Sequence, residues 1–424
     1  MFRMNAPAPS HGAAPTRVRH LVLGLTLSLV ALAYLDRVCI ATAAPAIRQD
    51  LGLDAEQMGF VFSAFTLSYA LFEVPSGYFA DRFGARVALT RIVVWWSLMT
   101  AVTGFATGFA SLLLFRFLFG IGEAGAFPST ARVYARWLPE STRGWAFGLA
   151  IATGAIGGAA TMKLVVWLLG FVDWRAAFAM FGAVGFVWAG VWWWFFRDEP
   201  SAHARVNDAE LRVIGNQSTE RATAVPWRLI FRSRSLLTLC FMYLAAIYGW
   251  YFYLTWLPTY LKEARGFDLA RAGTLSSLPL LGIAAGVWGG GFVSDGLARR
   301  YGSRARRVPG VVGFPVAALA TLGAATTSSS DMAAWLLTAA AGFGAMGVAP
   351  AWAVCLEIGG AHAGVISGAM NMFGNLGGTL CPILVGMCVK RFSSWSLALE
   401  TVAAFYLVAA LLWLLVDPRE KIVA

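Results

Sequence analysis

The sequence predicts an all-α membrane protein of twelve transmembrane helices, arranged as two pseudo-symmetric halves of six. Three observations carry that reading. Hydrophobic residues make up 58% of the 424 positions and charged residues only 13%, with a mean hydropathy of +0.66, far outside soluble norms. The apolar residues gather in runs of about 20, the length a helix needs to cross a bilayer. A short loop of distinctive composition also occurs twice, at the same point of each six-run half.

In order, the first half (19–196) contains runs at 19–43, 57–80, 87–107, 111–135, 143–168 and 174–196. The second half (235–416) contains runs at 235–261, 271–294, 308–327, 332–356, 363–388 and 395–416. An N-terminal tail (1–18), a connector (197–234) and a C-terminal tail (417–424) complete the chain. With the amino terminus inside, 22 basic residues fall on the cytoplasmic side, seven on the other and four within spans. That asymmetry predicts both termini in the cytoplasm. The connector is read as a polar linker with a surface helix at Asp208–Ile214 and no soluble domain. The polar Pro/Ala-rich start lacks a secretory cleavage signal. The net charge of +11 sits in short loops between spans, so it is not a nucleic-acid footprint. The five cysteines have no metal-ligand spacing and read as small buried hydrophobes, so neither metal nor cofactor is expected.

Charges inside the spans mark the candidate site. Arg116 and Glu123 stand seven residues apart in span 4, near two full turns, on one helix face. Span 1 carries Tyr34-Leu-Asp36-Arg37. A charge at bilayer depth costs about 2.5–3.5 kcal/mol on insertion scales, so these residues must pair or line a cavity. Arginine offers a planar fork matched to a carboxylate, which makes Arg37 and Arg116 candidate substrate ligands. Asp36 and Glu123 are candidate proton carriers, because burial and a neighbouring arginine move a carboxyl in opposite directions. A structural ion-pair network is the alternative reading. Tyr69 and Glu73 share one face of span 2. Ser367, Asn371 and Asn375 repeat at fours in span 11, a stripe suited to a polyhydroxylated ligand or to helix–helix adhesion. Tyr248 and Tyr251 of span 7, with Trp352, complete the expected ligand contacts. Lys163, near the outer end of span 5, snorkels to the interface, pairs with Glu73 or helps attract a second carboxylate.

The repeated loop reads Gly77-Tyr-Phe-Ala-Asp81-Arg82-Phe-Gly84-Ala-Arg86 in the first half and Gly291-Phe-Val-Ser-Asp295-Gly296-Leu-Ala-Arg299-Arg300 in the second. It resembles the signature loop of the major facilitator superfamily. The resemblance implies that fold, with a substrate site between the halves near the midplane. It also makes Asp81, Arg82, Arg86 and Asp295 gating residues. Asp81 is expected near Ala361 and Asp295 near Ser141-Thr142, each at a helix amino terminus of the opposite half.

Leu35-Asp36-Arg37, Arg116 with Glu123, the run Tyr248-Gly-Trp-Tyr-Phe-Tyr-Leu-Thr-Trp-Leu-Pro258-Thr-Tyr-Leu261, and Gly364-Val-Ile-Ser-Gly-Ala-Met-Asn371-Met-Phe-Gly-Asn375-Leu-Gly-Gly378 narrow the match. Together they resemble the anion:cation symporter branch, which holds bacterial sugar-acid/proton symporters and relatives of sialin and the vesicular glutamate transporters. That resemblance implies uptake of an organic carboxylate with protons, with Arg37, Arg116 and Tyr69 at the substrate and Asp36 and Glu123 coupling, and the chain is read as an importer of a bacterial inner membrane that works as a monomer. Three positions depart from it. Glu73 stands where relatives commonly have glutamine, Cys39 where asparagine is common, and span 5 carries Lys163 but no glutamine. Glu73 is therefore a third candidate proton site. An obligate anion exchanger would not need the buried carboxylates. A membrane-embedded enzyme would need a nucleophile–base or metal cluster, which the sequence lacks, and a sensor would need an added signalling domain.

Overall fold

The computed structural model describes residues 14–215, 233–359 and 363–420. Helices α1 (Val18–Leu51), α2 (Ala55–Thr103), α3 (Phe109–Glu123), α4 (Ala126–Trp137), α5 (Glu140–Leu168) and α6 (Trp174–Phe195) build the first half. The connector contributes α7 (Asp208–Ile214). The second half contains α8 (Arg234–Thr255), α9 (Leu257–Glu263), α10 (Leu269–Tyr301), α11 (Val308–Thr326), α12 (Ser330–Ala345), α13 (Val348–Gly359), α14 (Ala363–Phe392) and α15 (Trp395–Leu415). Eleven segments of the described chain are long and apolar enough to cross a membrane.

Two of the twelve expected spans share one kinked helix. Spans 2 and 3 are joined in α2, a 49-residue helix whose one non-helical residue is Gly84, at φ 82 and ψ 162. A side chain would strain that conformation, and glycine adopts it freely. Of α2, the part Arg82–Thr103 is one of the eleven segments. The second half repeats the device: α10 ends at Gly302, with φ 83 and ψ 173, before α11. The fourth span of each half is also broken, at Ala124-Gly125 between α3 and α4 and at Met346-Gly347 between α12 and α13. These paired interruptions show the internal repeat in the backbone itself.

The connector is less free than a linker. Glu210 of α7, fully buried, accepts hydrogen bonds from the backbone amides of Val18 and Arg19, both at 3.0 Å, and from Thr16 Oγ1. A helix start leaves amide donors without partners, and a carboxylate there also meets the positive end of the helix dipole. The first part of the connector is thus fastened to the start of α1. His203 packs edge-on against Trp137 and Phe195 and extends that attachment.

The halves meet where α2 packs on α14 and α5 on α10. At the end opposite the termini the approach is tight: a Cβ on Gly59 would lie 2.4 Å from the Pro382 carbonyl oxygen, and one on Gly386 would lie 2.6 Å from that of Ala55. Ion pairs join the halves there, Arg48 to Glu263 at 2.6 Å, Lys390 to Asp54 at 2.8 Å and Arg391 to Glu56 at 2.7 Å. Below them Ser63 Oγ donates to the Thr379 carbonyl at 2.7 Å, and Thr66 bonds Thr379 at 3.0 Å. Nearest the termini in this ladder stands Glu73 with Asn371. Beyond it the surfaces part. A Cβ on Gly158 of α5 would lie 3.1 Å from Leu280, whereas one on Gly144, about four turns nearer the termini on the same stripe, would have nothing within 4 Å among the described residues. Among the described residues the halves are therefore closed together at one end and parted at the terminal end.

Candidate functional site

The site lies where α1, the first limb of α2, and α3 converge at mid-height. Apolar packing changes there: Phe62 belongs to a core continuous with the second half, while Phe65 and Tyr69 belong to a core of the first half alone. Between those levels the sequence places its charges. Helix α3 can come close to α2 because Gly120 has no side chain; a Cβ there would sit 2.1 Å from Ser68 Oγ and 2.4 Å from the Phe65 carbonyl oxygen. Gly125, at φ 89, then ends the straight run directly after Glu123.

Arg37 Nε donates to Glu123 Oε1 at 2.6 Å. The Glu123 side chain is fully buried and that of Arg37 is 12% exposed, so little water screens the pair. The Arg37 guanidinium lies over three rings, Tyr69 at 5.0 Å, Phe65 at 5.2 Å and Tyr34 at 5.7 Å. Arg116 shares Phe65 from 5.4 Å and covers Phe119 at 4.2 Å. These ring faces stabilise guanidinium charge where water is scarce. Arg116 and Asp36 are 2% and 1% exposed. Among the described residues, both Asp36 oxygens, Nε and Nη1 of Arg116 and Oε2 of Glu123 meet no hydrogen-bond partner of good geometry, although the Thr100 hydroxyl neighbours Asp36. Leaving buried polar atoms unpaired costs about 1–3 kcal/mol each, more for charged groups. Such a concentration is unfavourable for mere scaffolding and suits a centre that exchanges protons and an anion.

The second half contributes from α14 and α8. Asn371 Nδ2 donates to both Glu73 oxygens, at 2.8 and 3.1 Å. Asn375 Nδ2 donates to the Asn371 carbonyl at 3.2 Å, and Tyr251 Oη donates to Asn375 Oδ1 at 3.4 Å. The structure thus brings together Tyr34, Asp36, Arg37, Tyr69, Glu73, Arg116, Glu123, Tyr251, Asn371 and Asn375 around one mid-height region.

Other expected residues lie elsewhere. Tyr248 is fully buried, stacked on Phe405 at 3.9 Å and bonded to Thr401 at 2.8 Å. Its side of α8 faces α15, three residues from Tyr251 and turned away from the cluster. Ser367 is buried beside Cys355. Trp352 donates to the Tyr243 hydroxyl at 3.1 Å. Lys163 is exposed, as a lysine that snorkels to the interface would be, and Asn371 is the partner of Glu73, the carboxylate of its alternative reading. Cys39 is buried and donates its thiol to the Asp36 carbonyl at 3.3 Å. Among the gating residues, Asp295 pairs with Arg306 at 2.5 Å within its own half, and Arg306 also holds Glu357 at 2.5 Å. Asp295 takes this local partner, and the Ser141 side chain in its expected partner segment lies outside the described residues. Arg82 is exposed over Phe83 at 5.4 Å. Arg86 donates to the Trp193 carbonyl and ties the second limb of α2 to α6. The Asp81 side chain and residues 360–362 near its expected partner lie outside the described residues. Sequence reasoning missed Thr379, which meets Ser63 and Thr66 across the halves. Thr379 continues the Ser367, Asn371, Asn375 spacing by four, so one further step along that stripe finds it.

Comparison with known proteins agrees with this architecture. The family model described as Major Facilitator Superfamily matches residues 26–381. A probable sulfoacetate transporter, SauU, of Cupriavidus necator is 37% identical, over 95% of this chain and 94% of that protein. A D-galactonate transporter of Escherichia coli is 31% identical over 96% and 97% of the two chains. A probable galactarate/D-glucarate transporter, GudP, of Bacillus subtilis is 33% identical over 96% and 94%. Among solved structures, a bacterial homologue of the human lysosomal transporter Spinster superposes with a TM-score of 0.78 at 21% identity, over 96% of this chain and 98% of that one. The chain is not an enzyme but a multi-pass membrane transporter, and it belongs to the major facilitator superfamily.

Proposed function

We propose that this carrier imports an organic carboxylate, a sugar acid of hexuronate, aldonate or aldarate type, together with protons by alternating access. Both termini lie in the cytoplasm of a bacterium, the protein sits in the inner membrane, and the monomer is the working unit. The parted end then faces inward. The observation that carries the reading is the buried Arg37–Glu123 pair at 2.6 Å, beside the unpartnered atoms of Asp36 and Arg116. With both carboxylates ionised, Asp36, Arg37, Arg116 and Glu123 sum to zero charge. Each proton that Asp36 or Glu123 takes up leaves the cluster one charge more positive, so proton binding and anion binding favour each other. Glu123 also occupies the Nε edge of the Arg37 fork. A cargo carboxylate that binds this edge must displace Glu123, and a protonated Glu123 yields it most readily.

Transport follows from unequal affinity of the two conformations for the loaded cluster. From outside, protons settle on Asp36 and Glu123 and the anion docks on Arg37 and Arg116 beside Tyr69, Tyr251, Asn371 and Asn375. The halves then rock, the terminal end parts, and anion and protons leave. Re-formation of the Arg37–Glu123 pair compensates the emptied site for the return. The names of the relatives, carriers of galactonate, galactarate/D-glucarate and sulfoacetate, support an organic-acid cargo. A thermal-shift screen of the purified protein tests the reading, with hexuronates, aldonates, aldarates, simple dicarboxylates and sulfonated acids at about pH 6 and pH 8, either side of neutrality. Stabilisation by sugar acids, stronger at the lower pH, is expected. No stabilisation by any of them would overturn it.

A further inference from the structure

Attraction for an anion does not explain Glu73. This half-buried carboxylate stands on α2 one turn past Tyr69, on the side of the parted end. It lies within electrostatic reach of Arg37, Tyr69 and Tyr251. Four residues of helix rise about 6 Å, so Glu73 is displaced by roughly that much from the level where Arg37 stacks on Tyr69. Asn371 of the opposite half braces it through both oxygens, at 2.8 and 3.1 Å. An ionised carboxylate has about four acceptor positions, and one amide nitrogen engages two of them. The others remain for a donor that enters between the halves. The region is therefore polarised, with guanidinium at one end and carboxylate at the other, at a separation comparable to a small organic acid.

We infer that Glu73, braced by Asn371, is the distal recognition group of the cargo site, selecting anions with an acid at one end and hydroxyl donors at the other over anions with an acid at both ends. This rests on the proposed function and narrows it, from sugar acids in general to aldonate- or hexuronate-type monoanions. A hydroxyl donates to Glu73 and leaves Asn371 in place. A second ionised carboxylate is acceptor only and brings like charge to the same point, which it must leave or neutralise. The brace spans the two halves and lies nearest the termini in their contact ladder, so a cargo donor that bonds Glu73 reaches the point where the halves separate.

The test uses two matched pairs of anions with the reconstituted full chain at about pH 8, where free carboxylates are ionised. Galactonate and galactarate differ only in a terminal hydroxymethyl against a carboxylate; 2-hydroxyethanesulfonate and sulfoacetate differ in the same way on a shorter skeleton. The wild type is expected to bind the hydroxyl member more tightly, by about tenfold or more, since like charges at contact are strongly disfavoured. Glu73→Gln should bring that ratio close to one, while Glu73→Asp, which keeps the charge, should preserve the preference. A role confined to packing would weaken both members equally in Glu73→Gln and leave the ratio unchanged, which overturns the inference, as does a wild-type preference for either diacid. If only the sulfonated pair binds, the sugar-acid reading fails while the ratio still decides the role of Glu73. Binding of none of the four overturns both.

Discussion

Glu123→Gln separates anion binding from proton coupling. In the wild type the Glu123 carboxylate holds Arg37 Nε at 2.6 Å within a nearly dry site. A cargo carboxylate competes with it for the same guanidinium. Hydrogen bonds to charged groups contribute about 1.5–3 kcal/mol, and 1.4 kcal/mol is tenfold in affinity. A glutamine oxygen keeps part of that bond but none of the charge. The variant should therefore bind the anion at least as well as wild type, and up to about tenfold more tightly. It imitates the protonated carboxyl permanently, so exchange of labelled for unlabelled cargo should persist. Accumulation driven by a proton gradient should be lost, because the empty carrier cannot release a proton from that position. Counterflow and gradient-driven uptake, measured side by side in proteoliposomes, distinguish these activities. Accumulation against a gradient by Glu123→Gln would refute the reasoning and move coupling to Asp36 or Glu73.

Three further outcomes follow from the geometry. Lysine at Arg37 or Arg116 keeps the charge but loses the planar fork and its stacking on Tyr69, Phe65 or Phe119; binding should weaken about tenfold or more in calorimetry, and wild-type affinity in both variants would make the arginines structural. Burial alone would raise the Asp54 carboxyl, but hydrogen bonds from Lys390 and the Gln57 amide outweigh it and hold its pKa below the ordinary range. A depressed carboxyl contributes stability above its free value, about 3.9, and loses it only as pH falls through the lowered value, so Asp54→Asn should leave the pH profile of uptake between about pH 5 and 8 unchanged in shape. Glu210→Ala removes the acceptor for the Val18 and Arg19 amides and should destabilise the protein by about 1–3 kcal/mol, seen as a lower melting temperature with transport retained at low temperature.

How much of this was legible in the sequence depended on whether the signal was local. Bilayer-length apolar runs, paired Gly-to-Asp loops and the seven-residue spacing of Arg116 and Glu123 are local patterns, and the structure carries each of them. Gly84 was in view as part of the loop, but nothing in its neighbours showed that its backbone would take a positive φ and kink α2 between two spans. Tyr248 and Tyr251 could not be ranked, because α8 is buried on almost every side and has no polar face to orient it. The Glu73–Asn371 contact joins residues 298 apart in sequence; only the packing of α2 on α14 brings them together. Arg37 and Glu123 are likewise distant, and the sequence placed both at bilayer depth without revealing that they bond each other. Asp295 was read for a closed gate, and the structure shows it with the gate parted.

Proton-driven uptake is the central claim, and one measurement reaches it directly. The reconstituted wild-type protein is given a labelled sugar acid and an inward acid gradient, then the same cargo with the gradient collapsed by a protonophore. The account predicts accumulation above equilibrium in the first condition and equilibration alone in the second. Uptake of the same extent in both would contradict proton symport and leave the buried carboxylates as scaffold for an anion exchanger.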